Sequence, residues 1–173
     1  MTDNALATYD PAAKVNPPLR EETDRQAVIA GLADGTIDAI ATDHAPHALE
    51  EKDVEFEYAP PGLVGLETAL ALAVTELVEP GHITLLRLVE LLSAAPARIA
   101  SLDGQGGPLC AGAPAHIVMF DPSEPWTVDP GGFNSKSRNS PFGGRQVRGR
   151  VKHTFFNGRP TVRDGRVMQE APA

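Results

Sequence analysis

The run Ala41-Thr-Asp43-His44-Ala-Pro-His47 places a carboxylate directly before one imidazole and four residues before another. Asp43 in such a run can hold a metal ion or shuttle a proton. The same residues fit a plainer role, in which Asp43 caps a turn and the imidazoles make loop hydrogen bonds. Pro46, between the histidines, disfavours a helix, so the pair is not the i, i+4 arrangement of a helical zinc protease.

A short apolar segment, Ile37-Asp-Ala-Ile-Ala-Thr-Asp43, leads into this run. It reads as a buried parallel strand ending on the carboxylate, and the carboxyl edge of such a sheet is where α/β folds gather reactive groups. A helix is predicted before it, over Glu21 to Leu32, with Ala27, Val28 and Leu32 on one face and Gly35 just beyond its end. Residues 1–20 are irregular and finish in Lys14-Val-Asn-Pro-Pro-Leu-Arg20, which two adjacent prolines hold extended. From Ala45 to Val64 the chain reads as a long loop, with acid-rich 50–57 and Pro60-Pro61-Gly62.

Helical periodicity returns over Gly65 to Val78, then over Leu85 to Leu92 with Thr84 as N-cap, and again from Pro96 to Ala100. After Gly104-Gln-Gly-Gly107, read as a linker turn, the pattern changes to strands at Ala115 to Phe120, Trp126 to Val128 and Val147 to Phe156. Asn157-Gly158 and Asp164-Gly165 are hairpin turns. The predicted organisation is therefore an α/β region over 1–103 and a β-rich appendage over 104–173.

Composition limits what this chain can be. A complete (β/α)₈ barrel needs about 250 residues, more than the 173 present. Net charge −8 argues against a general nucleic-acid binder. The charge is graded: residues 1–80 carry sixteen acids and four bases, whereas 136–166 carry nine bases and one acid. Arg148, Arg150 and Lys152 alternate with Gly149 and Val151, as on the wet face of a strand. Cys110 is the sole cysteine, so no intrachain disulfide forms. The opening Met1-Thr-Asp-Asn-Ala-Leu has no leader character, and no apolar run approaches the ~18 residues of a membrane span. The expectation is a cytoplasmic chain outside the membrane.

Four segments together are more specific than any one. Lys14-Val-Asn-Pro-Pro-Leu-Arg20, Asp34 to His47, Pro61-Gly-Leu-Val-Gly-Leu-Glu-Thr-Ala-Leu70 and Ser135-Lys-Ser-Arg-Asn-Ser-Pro-Phe142 resemble the C-terminal portion of bacterial dihydroorotases of the amidohydrolase superfamily. Hydantoinases and allantoinases share the Asp-His element, but Asn-Pro-Pro-Leu-Arg with Asp-His-Ala-Pro-His is nearer to dihydroorotase. The resemblance implies a partial (β/α)₈ metal-dependent hydrolase barrel, its last strands and helices, followed by C-terminal β-sandwich strands.

It also implies roles. Asp43 resembles the family's eighth-strand metal ligand, which takes a proton from a bridging hydroxide and returns it to the departing ring nitrogen. His47 resembles the histidine that helps hold the substrate carboxylate, Asn16 the side chain bonded to the dihydropyrimidine ring, and Pro61 and Gly62 the segment whose backbone meets that ring. The implied cofactor is binuclear zinc, whose other ligands have no counterpart in this sequence, so the isolated chain is expected to be inactive. The implied reaction interconverts dihydroorotate and N-carbamoyl-L-aspartate in pyrimidine synthesis. A second copy of the chain or aspartate transcarbamoylase is the implied protein partner. Two rival readings are a non-catalytic dihydroorotase-like scaffold for that transcarbamoylase and another cyclic amidohydrolase. Arg20 could meet an anion or form a structural ion pair, the latter being favoured, and His44, His82, His116 and His153 receive no catalytic role.

Overall fold

Glu22 and Asp24 place carboxylates where a helix start has free N–H groups, and α1 runs over Glu22–Asp34. Gly35 ends it at φ 91°, a left-handed position that glycine takes without steric cost. The helix is where the periodicity predicts it, but its buried face is Ile29 and Leu32, with Ala27 and Val28 exposed. The computed structural model describes residues 1–168.

The predicted strand Ile37–Asp43 is corrected by the structure. These residues form no strand, and the only β pairing here among the described residues is one parallel bridge, His44 to Leu63. Their backbone donors go elsewhere: Ile37 N–H to Gly31 O, Ile40 N–H to Leu91 O and, just beyond, Ala45 N–H to Leu63 O. An apolar run specifies burial; the ladder depends on which backbone lies alongside.

Within the predicted long loop the acid-rich stretch forms a short helix, α2, Leu49–Lys52, whose Glu51 carboxylate accepts the Ala48 N–H at 3.0 Å. The next helix begins later than its periodicity suggests. The N–H groups of Gly65 and Leu66 point at His44 Nδ1, at 3.1 and 3.4 Å, so α3 is regular only over Ala69–Ala73 before widening into a π-helical turn, Val74–Val78. Thr84 Oγ1 accepts from Arg87 N–H and caps α4, Leu85–Val89. Instead of two separate helices, α4 continues through a π-turn, Glu90–Ala94, into α5, Ala95–Ile99. Pro96 has no N–H to donate, and it sits just after the widened turn, where the i to i−4 ladder is already interrupted.

The strands after residue 104 form one sheet in the order β1–β2–β3–β4: Ile117–Thr127, Gln146–Phe156, Arg159–Arg163 and Arg166–Val167. The two short strands predicted between 115 and 128 are one long strand. Pro122 and Pro125 are tolerated because β1 lies at the sheet edge, where a missing donor costs no ladder bond. Both predicted hairpins are present and antiparallel, with positive φ at Asn157, Gly158, Asp164 and Gly165.

Two compact units emerge, neither continuous in sequence: Met1–Ile37, Ala41–Leu70 and Thr127–Gln146 form one, and Asp38–Ile40, Ala71–Trp126 and Val147–Ala173 the other. The first packs Ala13, Ile29, Leu32, Ala59, Val64, Thr68 and Val128 inside. The second is centred on Val74, Leu88, Leu91 and Val147. In that second unit the basic strand residues are engaged by the protein: Arg148 pairs with Glu79 at 2.7 Å, Arg150 lies over the Trp126 ring and Lys152 pairs with Glu124. No helix among the described residues is long and apolar enough to cross a membrane.

Candidate functional site

All five residues singled out from the sequence, Asn16, Asp43, His47, Pro61 and Gly62, lie in the first unit. Four are tied into, or sit beside, one hydrogen-bonded frame. Gly62 N–H donates to Lys14 O at 2.8 Å, which fixes the segment two residues before Asn16. Pro61 O faces His47 Nε2 at 3.1 Å. A carbonyl only accepts, so Nε2 carries the hydrogen of that bond. On its other side, His47 Nδ1 lies 3.6 Å from a Glu51 carboxylate oxygen.

Glycine is required at position 62 by two independent features. Its φ is +135°, and a Cβ there would stand 2.7 Å from Ala45 Cβ and 2.9 Å from His47 Nε2. The backbone polar groups expected to meet a ring are already engaged within the chain: Gly62 N–H by Lys14, Pro61 O by His47, and Gly62 O by Lys52 and Asn139. A ligand would share their remaining lone pairs or displace a partner.

Asp43 is different. It is exposed, and among the described residues its carboxylate has no hydrogen bond or ion pair. Its φ is +44°, a left-handed conformation that a non-glycine residue adopts at a cost of about 1 kcal/mol. The turn-cap role is thus not what Asp43 does here, whereas the imidazoles do make loop hydrogen bonds, His44 to Gly65 and His47 to Pro61. Asn16 is exposed and precedes a cis bond to Pro17. Arg20 pairs with Asp24 at 3.3 Å across one exposed helical turn.

The frame depends on three residues to which the sequence reading gave no role. Asn139 is buried, donating from Nδ2 to Ala45 O at 2.9 Å and Gly62 O at 3.1 Å, while its backbone O accepts from Val64 N–H. Ser137 Oγ accepts from His47 N–H at 3.0 Å and donates to His47 O. Both belong to the quoted Ser135–Phe142 segment, the one signal that could have found them. Lys52, only 6% exposed, donates to Pro60 O at 2.9 Å and Gly62 O at 3.1 Å. Burial, with the nearby Lys14 charge, holds its pKa below the usual lysine value against the opposing pull of Asp10. In sequence it is one charge in an acidic stretch that reads as solvated.

Beside the frame, Glu67 accepts from the N–H groups of Asn134 and Ser135 and from the Asn134 amide. Partial burial pushes this carboxyl up, but those bonds together with Arg138 outweigh it and leave its pKa lowered. Its stabilising effect is therefore present above the unfolded value of 4.5 and lost as pH falls through the lower folded value. Thermal melts between pH 6 and ~2.5 should show Glu67→Gln with a smaller acid-induced loss of stability than the parent. Equal losses would place the acid sensitivity elsewhere.

The amidohydrolase family model matches residues 12–161, most of the chain and every site residue. The chain belongs to the amidohydrolase family. This amidohydrolase chain is 46% identical over 167 residues to the dihydroorotase of Streptomyces coelicolor, covering 96% of this chain and 39% of that protein. It is 49% identical over 164 residues to the dihydroorotase of Acetivibrio thermocellus, covering 95% and 38% respectively. Among solved structures, the L-hydantoinase (dihydropyrimidinase) of Arthrobacter aurescens superposes with TM-score 0.90 at 30% identity, over 98% of this chain and 38% of that one. The dihydropyrimidinase of Brevibacillus agri gives TM-score 0.82 at 26% identity, over 91% and 35%. The amidohydrolase chain thus spans under two-fifths of the length of these relatives.

Proposed function

We propose that this chain supplies the proton-carrying aspartate and part of the substrate cradle of a dihydroorotase, which opens the cyclic amide of dihydroorotate to N-carbamoyl-L-aspartate and closes it in reverse. The observation that carries the reading is Asp43: an exposed carboxylate, unpaired among the described residues, held at positive φ four residues before a histidine locked into a rigid frame. Identity near 50% to proteins named dihydroorotase supports that substrate over the hydantoin ring of the structural neighbours.

In this reading water attacks the ring carbonyl carbon, and the carbon–nitrogen bond breaks. An Asp43 carboxylate oxygen takes the proton released by the water and delivers it to the departing ring nitrogen; in ring closure the same oxygen runs the transfer backwards. His47 and Asn16 orient the substrate carboxylate and ring, and the Pro61–Gly62 backbone lines the ring edge. Family membership supports a metal cofactor, with zinc as the proposed ion. Among the described residues, however, no three His, Cys, Asp or Glu side chains are grouped to hold one. Asp43 offers a single carboxylate, so this chain's own side chains do not complete a centre.

The proposed architecture is the last part of a (β/α)₈ barrel over 1–103 and β-sandwich strands with a tail over 104–173. The proposed setting is the cytoplasm, with a second copy or aspartate transcarbamoylase as partner. A graft tests the function: residues 1–173 replace the matching 167-residue segment of the Streptomyces coelicolor dihydroorotase. Metal-dependent turnover of dihydroorotate by the graft, with none by the chain alone, is expected. A stable graft that hydrolyses hydantoin and not dihydroorotate would assign the other cyclic amide, and one inert to both would favour the scaffold.

A further inference from the structure

We propose that Lys52 is a positioning residue of the cradle, its buried ammonium fixing the Pro60–Gly62 carbonyls so that Pro61 O holds the hydrogen of His47 on Nε2. Three consecutive carbonyls are involved: Lys52 Nζ bonds the first and third, Pro60 and Gly62, and His47 Nε2 bonds the second. The chain between two oxygens held by one ammonium has little freedom, so the middle carbonyl is aimed rather than merely placed. Charge-assisted bonds of this kind are stronger than neutral ones. No carboxylate is recorded within ion-pair distance of Lys52 among the described residues, so its bonds to the protein are to backbone oxygen.

A second lysine extends the arrangement. Lys14 Nζ bonds Phe56 O and Glu57 O, at 2.8 and 2.9 Å, and lies 5.3 Å from the centre of the Phe56 ring. Its backbone O in turn receives Gly62 N–H. Two ammonium groups thus gather four carbonyls of the 56–62 segment, and the backbone bond from Gly62 N–H to Lys14 O ties that segment to the one carrying Asn16. Lys14 Nζ secures the outer part of the loop, and of the two ammonium groups only that of Lys52 bonds the carbonyls flanking Pro61. This rests on the proposed dihydroorotase function for its kinetic consequence, and on geometry alone for the tautomer.

Two measurements on the full chain test the geometry. Long-range proton–nitrogen correlation spectra, with His47 assigned by His47→Gln, are expected to show His47 with its hydrogen fixed on Nε2. Lys52→Met should turn that pattern into tautomer averaging, and Lys52→Arg should restore most of it. In the unsubstituted chain, the Lys52 ammonium should exchange with water at least tenfold more slowly than that of exposed Lys136, and couple to the Pro60 and Gly62 carbonyl carbons. A fixed His47 pattern in folded Lys52→Met overturns the proposal. If that variant does not fold, an ammonium exchanging as fast as Lys136 overturns it by itself.

In the graft, Lys52→Met is expected to raise KM for dihydroorotate about tenfold, with kcat within about threefold of the parent, because Asp43 is not among the groups it holds. An unchanged KM overturns the positioning role. An inert parental graft counts against the dihydroorotase reading and leaves the spectroscopic result to decide the role of Lys52.

Discussion

Asp43→Asn in the graft is expected to lower kcat for dihydroorotate by about 10²–10⁴-fold, the range for losing a positioned proton-transfer group. KM should stay within a few-fold, since among the described residues the hydrogen bonds of the frame around His47 and Gly62 do not involve this carboxylate. The substitution keeps the size of the side chain but removes its negative charge, replaces one acceptor oxygen with an NH2 donor and abolishes proton acceptance at neutral pH. Steady-state rates in both directions provide the check. The equilibrium constant is unchanged by the substitution, so kcat/KM for ring opening and ring closure should fall by the same factor. A rate within tenfold of the parent would remove Asp43 from the reaction. The variant should also unfold at a midpoint no lower than the parent: asparagine tolerates left-handed backbone at least as well as aspartate, and no side-chain bond is lost.

Gly62→Ala should be the most damaging single change to the frame. The alanine would carry strained backbone at φ +135°, about 1–3 kcal/mol, and force Ala45 and His47 away from a Cβ at 2.7 and 2.9 Å, about 1–3 kcal/mol more. Urea unfolding should therefore show a loss of roughly 2–6 kcal/mol at an unchanged slope. Gly81→Ala is the matched control. Gly81 has φ +78°, but nothing lies within 4 Å of a Cβ there, so backbone strain alone should cost about 1–2 kcal/mol. Equal losses at both positions would mean that contacts around Gly62 are not what demands glycine. In the graft, Gly62→Ala should also raise KM, because the group displaced first is the His47 ring.

What could be read from sequence divides along physical lines. Local chemistry was legible: Thr84 as a cap, Gly35 as a helix stop and the Asn157-Gly158 and Asp164-Gly165 turns each depend on two or three adjacent residues. Periodicity located helices but not their buried faces, as the exposure of Val28 and Leu66 shows, because the face is chosen by what packs against it. The segment 37–43 failed as a strand for the same reason: pairing is a property of two backbones. At the site, Asn16, Asp43, His47, Pro61 and Gly62 came from motif resemblance. Asn139 and Ser137 were visible only as part of a motif without a task, since their partners at 45, 47, 62 and 64 are 75 to 94 residues away. Lys52 was hidden by its acidic neighbours, which suggest solvent where the fold buries the ammonium against backbone carbonyls.

The discontinuity of the first unit bears on how this polypeptide can be dissected. Its closing ribbon, Thr127–Gln146, comes from beyond the position where the α/β pattern ends near residue 104. Cutting the gene at that natural-looking seam would therefore discard Ser137 and Asn139 while keeping every residue they brace. An N-terminal expression product would retain the exposed Asp43 carboxylate and lose the Ser137 and Asn139 bonds that hold the His47 segment. The apparent modularity of the sequence is crossed by the three-dimensional wiring, and a minimal version of this site must keep 127–146 together with 1–70.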